Sequence, residues 1–100
     1  MSKIVICFVL LLVSGFVCAQ TKAVLNGYVT DANNGEAVIG ATVLIKELGT
    51  GAVTNVYGFY SSSIPVGTYT VEFSYIGYLP ITRSIELTTD QRIDIELKAN

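Results

Sequence analysis

Eight carboxylates, six tyrosines and no histidine set the chemistry open to this 100-residue chain. Without imidazole, the Ser-His and Cys-His nucleophile pairs and the usual His-containing zinc sites are excluded. Both cysteines, Cys7 and Cys18, lie in the first nineteen residues. Glu86, Asp94 and Glu96 are the carboxylates closest to a paired arrangement, yet each alternates with Ile or Leu, which puts them on solvated outer faces of strands. General acid/base work would need them convergent in a cleft. Asp31, with Asn33, Asn34 and Glu36, offers hard oxygen ligands, but not at the spacing of a calcium loop. Asp and Asn are also ordinary turn residues, and that is the first reading here. The glycines match neither a phosphate loop nor a dinucleotide fingerprint, and no helix follows them to supply a positive dipole. No catalytic residue, cofactor or metal is expected.

The tyrosines leave more room. Tyr60, Tyr69 and Tyr75 have the parity of core residues and are expected to pack, with a hydroxyl at the rim. Tyr28, Tyr57, Phe59 and Tyr78 fall outside that pattern and form the candidate interaction surface, as an exposed aromatic patch would. Edge strands are a second candidate, through strand addition by a partner.

The elements that would position these residues are strands. In Thr68–Tyr78, apolar and polar residues alternate strictly, the period of a half-buried strand, and most are aromatic, β-branched or Thr. This stretch reads as a central strand. Ahead of it, strands are expected over Val24–Thr30, Ala41–Glu47, Ala52–Asn55 and Phe59–Ile64; behind it, over Tyr78–Leu87 and Ile93–Leu97. Asn-, Gly- and Pro-containing turns separate them. Gly27, inside a strand, points to a bulge or a close backbone approach. Pro80 places the next strand at a sheet edge, and Arg83 breaks its apolar parity, so its head belongs at a rim in water. About seven short strands and no helical periodicity predict an all-β, antiparallel β-sandwich.

The first nineteen residues read differently. Lys3 precedes the apolar run Ile4–Val13, then Ser14-Gly15, and Val17 and Ala19 suit the −3 and −1 positions of a cleaved signal peptide. Residues 1–19 are therefore expected to be a signal peptide, with Gln20–Asn100 as one domain. A membrane anchor would need a run of about 20 apolar residues, and lipidation at Cys18 would want a smaller neighbour than Val17. Cleavage removes both cysteines, leaving no disulfide. The formal net charge of −2 becomes one unit more negative with Lys3 gone. No basic cluster remains to attract nucleic acid or an anionic membrane, and the mature domain is not expected to insert in a membrane.

Five blocks, in order, carry a resemblance. They are Gly27-x-Val29-x-Asp31, Gly35-Glu36-Ala37-Val38-Ile39-Gly40-Ala41-Thr42-Val43, Gly51-x-x-Thr54-x-x-x-Gly58-x-Tyr60, Pro65-x-Gly67-x-Tyr69, and Ser74-Tyr75-Ile76-Gly77-Tyr78. Over Leu25–Leu97 the chain resembles the carboxypeptidase-regulatory-like domain, which implies a transthyretin-like sandwich and no enzymatic activity. A signal peptide directly ahead of the domain, with the SYIGY block, is similar to the N-terminal extension of TonB-dependent outer-membrane receptors. That resemblance implies export to the periplasmic face of the outer membrane. It implies as partners the plug and barrel of such a receptor, which imports a siderophore, glycan or peptide, and the TonB system. Asn55 departs from the Asp usual after the motif Thr, and the sequence ends at Asn100 before any plug or barrel strand, as a fragment or a free-standing copy would. The alternative is a stand-alone secreted or periplasmic module binding peptide or glycan. An accessory domain of an exported metallocarboxypeptidase is a third reading, which the adjacent signal peptide disfavours.

Overall fold

The computed structural model describes residues 21–100; the expected signal peptide and both cysteines lie outside the described residues. Eight strands form: β1 Lys22–Asp31, β2 Thr42–Ile45, β3 Thr50–Val53, β4 Phe59–Pro65, β5 Gly67–Ser74, β6 Ile81–Leu87, β7 Gln91–Arg92 and β8 Ile95–Leu97. They make two four-stranded sheets, packed as a sandwich. In one, β1 lies between β4 and the pair β7 and β8; the other runs β3-β2-β5-β6. The stretch around Val71 is thus an interior strand, flanked by β2 and β6.

The alternation read from sequence fixes which side chains meet between the sheets. Leu25 and Val29 of β1, Val43 and Ile45 of β2, and Val71 and Phe73 of β5 are fully buried. Tyr60 from one sheet meets Phe73 from the other edge-on, with ring centroids 5.6 Å apart. The Tyr60 hydroxyl donates to the Ile93 carbonyl at 2.6 Å, so its polar end is satisfied where the ring is buried. Burial pushes that phenol's pKa well above its ordinary value, and the Asp94 charge adds to the shift. Tyr69 likewise donates to the Pro65 carbonyl at 2.6 Å.

Three expectations need correction. The final strand does not run unbroken through Ile93, and it joins β1 in parallel, not antiparallel, through both β7 and β8. The break comes from Gly27. A Cβ there would stand 1.9 Å from the Ile93 carbonyl oxygen, so only glycine lets residue 93 come this close to β1, and the register is unchanged across the gap, Asn26 opposite Arg92 and Val29 opposite Ile95. The approach is held by the Ile93 amide donating to the Asn26 carbonyl at 2.8 Å. The close approach expected at Gly27 is therefore present, but it acts on the last strand. Finally, the central strand ends at Ser74, four residues early. The Tyr78 amide closes a turn on the Tyr75 carbonyl at 3.1 Å, and Gly77 takes φ +91° there. That turn lifts Tyr75 out of the pleat, and it is 42% exposed instead of packed in the core. Pro80 does precede an edge strand, β6, and Arg83 does lie exposed at its rim.

Candidate functional site

The carboxylates do not converge. Glu86, Asp94 and Glu96 are all exposed. Asp94 accepts from the Tyr28 amide at 3.0 Å and from Arg92 Nε at 3.1 Å. The Arg92 guanidinium holds its carboxyl below the ordinary carboxylate range, and the Tyr28 amide adds to this; a carboxylate so held is a poor base. Among the described residues, no three His, Cys, Asp or Glu side chains are grouped to hold a metal ion.

The Asp31 turn is knit by its own polar atoms. Asp31 Oδ1 accepts from the Asn33 amide at 2.7 Å, and Asn34 Oδ1 from the Glu36 amide at 2.9 Å, the self-capping that makes Asp and Asn turn residues. Asp31 Oδ2 accepts from the Tyr78 hydroxyl at 2.7 Å. That bond and the Asn33 amide lower the Asp31 pKa, while the same bond raises that of Tyr78.

The four candidate aromatics occupy three places. Tyr28 and Phe59 are cross-strand partners on the outer face of the first sheet, ring centroids 5.2 Å apart. The Arg92 guanidinium lies 5.1 Å over the Tyr28 ring, within cation–π range. Tyr78 is half-buried against the core, its hydroxyl spent on Asp31. Tyr57 is 72% exposed, on the turn between β3 and β4.

Around Tyr57 is a surface that apolar periodicity could not reveal. β2 begins, β3 ends and β5 ends at one end of the sandwich, where Thr42 pairs with both Val53 and Ser74. The loops and strand ends there expose Ile39, Val53, Val56, Tyr57, Tyr75, Ile76 and Leu79, Ile76 at 94%. Residues 37–43, 52–64 and 73–81 contain no charged side chain; Asp31 and Glu36 mark the rim. The loops are held from beneath. Thr54 is buried, its Oγ accepting from the Ala41 amide at 2.8 Å and donating to the Val38 carbonyl at 2.6 Å. The Gly40 amide reaches the Thr54 carbonyl at 3.0 Å. Asn55 Oδ1 accepts from the Tyr57 and Phe59 amides at 2.9 and 3.1 Å. Asn55 therefore supplies the turn-capping oxygen an Asp would supply. Apolar side chains gathered at one end on loops held this way are a docking surface in physical terms.

A second concavity, of about 620 Å³, opens between β6 and β8, lined by Ile81, Arg83, Asp94, Ile95, Glu96 and Lys98 among others. Its charges are mixed in sign, which gives no preference for one class of ion.

Comparison with known proteins gives the surface a context. A family model described as the CarboxypepD_reg-like domain matches residues 25–100. TonB-dependent receptor P3 of Formosa agariphila is 28% identical over 98% of this chain, and the aligned region is 10% of that receptor. Carboxypeptidase D of Homo sapiens is 28% identical over 76% of the chain and 6% of its own length. The chain thus spans about a tenth or less of these relatives. A solved type II cohesin–X-dockerin complex from Acetivibrio cellulolyticus superposes with a TM-score of 0.68 at 23% identity, over 77% of this chain and 58% of that one, a likeness of fold alone.

Proposed function

The chain belongs to the CarboxypepD_reg-like domain family, and from that premise we propose that it is a non-catalytic docking module of a TonB-dependent outer-membrane receptor. It works on the periplasmic side, ahead of plug and barrel, after removal of residues 1–19. The observation that carries this reading is the alignment of 98% of this chain with a tenth of a TonB-dependent receptor. The apolar loop end gives the module a surface to dock with, since exposed apolar side chains gathered at one end, Ile76 at 94% among them, are what a docking surface presents. No step of chemistry is assigned to it. Its carboxylates are held by amides, Arg92, Lys46 and Tyr78 or face solvent singly.

The test is the size and location of the native product, probed with an antibody against Gln20–Asn100 in soluble, inner-membrane and outer-membrane fractions. A large outer-membrane band is expected. A small soluble band would overturn the receptor reading and favour a free-standing module, for which the Tyr28–Phe59 pair under Arg92 is the surface to probe with peptides and glycans.

A further inference from the structure

Resting on the receptor reading, we propose that the apolar end is covered by the receptor's own polypeptide, the segment beyond residue 100. The first ground is where residue 100 lies. The Asn100 amide donates to the Gly77 carbonyl at 2.8 Å, Ala99 bridges to Tyr78, and the Leu79 amide donates to the Lys98 carbonyl at 2.9 Å. A continuing chain therefore leaves directly beside Ile76. At the other terminus, the Thr21 carbonyl accepts from the Val66 amide at 3.0 Å, at the opposite end of the sandwich. A segment after residue 100 meets the apolar end first; one before residue 21 does not.

The second ground is size. Seven side chains make the exposed apolar set at this end, Leu79 at 49% among them, a small patch beside an interface of roughly 20–30 residues a side with its polar rim included. Such a patch alone is a weak hold for a second copy of the chain or a diffusing partner. A tethered segment does not face that limit, because a short connection presents it at an effective concentration on the order of millimolar. The third ground is charge. With charge at this end confined to Asp31, Glu36 and Lys98 and none in residues 37–43, 52–64 and 73–81, the matching surface is mainly apolar, since an unpaired charge facing the apolar side chains would be desolvated without recompense. Docking there would fix the angle between the sandwich and the next part of the receptor, instead of leaving the sandwich to swing on a free linker.

The experiment places a photoreactive phenylalanine analogue at position 76, 57 or 48 of the full-length product in cells. Leu48 is also exposed but sits at the opposite end. Crosslinked peptides are then mapped by mass spectrometry. Positions 76 and 57 are expected to link, several-fold more than position 48, to residues beyond 100 of the same polypeptide. A receptor-sized product with no such link, or with links to another protein or a second copy, overturns the docking and leaves the receptor reading standing. A product near the 10.7 kDa of this chain overturns both.

Discussion

The two ends of the sandwich do the same structural job with opposite materials. At one, the turns after β2 and β6 carry Lys46, Glu47 and Asp90, and exposed apolar surface is limited to Leu48 and Val66, at 40% and 39%. Glu47 accepts from the Thr70 amide at 2.7 Å and the Thr70 hydroxyl at 2.9 Å, and Asp90 accepts from the Val24 amide at 2.8 Å. Those bonds hold the Glu47 carboxyl below its ordinary range, the Thr70 amide most of all. At the other end, Thr54 and Asn55 satisfy the backbone from inside, and Ile39, Val53, Val56, Tyr57 and Ile76 point out. Both ends close their loops with satisfied hydrogen bonds, so loop closure cannot account for the apolar side chains. Turning the chain needs Gly, Asn and Asp; it does not need an isoleucine in water. What folding leaves unexplained at the second end is what docking explains.

Substitutions can break the contrast from within or from without. Thr54→Val has the largest expected effect. It strips the partner from both the Ala41 amide and the Val38 carbonyl in a buried site, at roughly 1–3 kcal/mol for each orphaned group. Urea unfolding should lose about 2–4 kcal/mol, with the apolar loops disordered first. Asn55→Ala removes the acceptor of two turn amides that water can reach. A loss of about 1 kcal/mol is expected, while Asn55→Asp should hold wild-type stability because the capping oxygen is kept.

The Asp31–Tyr78 bond sharpens the comparison through pH. Asp31 has its folded pKa lowered from the ordinary value of 3.8, first by the Tyr78 hydroxyl. Its contribution is therefore complete above that value and is lost as pH falls through the lower folded one. Tyr78→Phe should destabilise the domain at neutral pH and progressively less below about pH 4, so that the two acid unfolding curves converge. Parallel curves would mean that Asp31 draws its shift from the Asn33 amide instead. The smallest effect is expected from Ile76→Ser. At 94% exposure it has little packing to lose, so stability should stay within about 0.5 kcal/mol of wild type. A larger loss would mean that the loop is part of the fold's support.

Much of the strand pattern is open to a reader of the sequence, and the contrast between the ends is closed for identifiable reasons. Strict alternation around Val71 marked the interior strand, and Gly27, Pro80 and Arg83 each announced a local irregularity that the fold contains. The alternation of Ile93, Ile95 and Leu97 concealed a break, because the cause sits on another strand, at Gly27 facing the Ile93 carbonyl. Tyr75 continued the parity of Phe73, but a turn at Gly77 rotates it outward. The apolar end was hidden for a similar reason. Periodicity ranks an apolar residue as core, and only the three-dimensional gathering of three loops shows Ile39, Val53, Val56 and Ile76 to be surface. Tyr57 was singled out because it fell outside any strand parity. The others had nothing in their sequence context to separate them from Val38 and Ala41, which are buried.

The most direct measurement is the accessibility of that end in the native product. Ile76→Cys and Leu48→Cys, each introduced separately, can be alkylated in intact outer membranes by a water-soluble maleimide, with Gln20–Asn100 alone as the reference. In the isolated domain both thiols should react quickly, as both positions are exposed. In the membrane-borne product the thiol at position 76 should be protected, while the one at position 48 stays as reactive as before. Equal reactivity at the two positions in the native product would contradict the account.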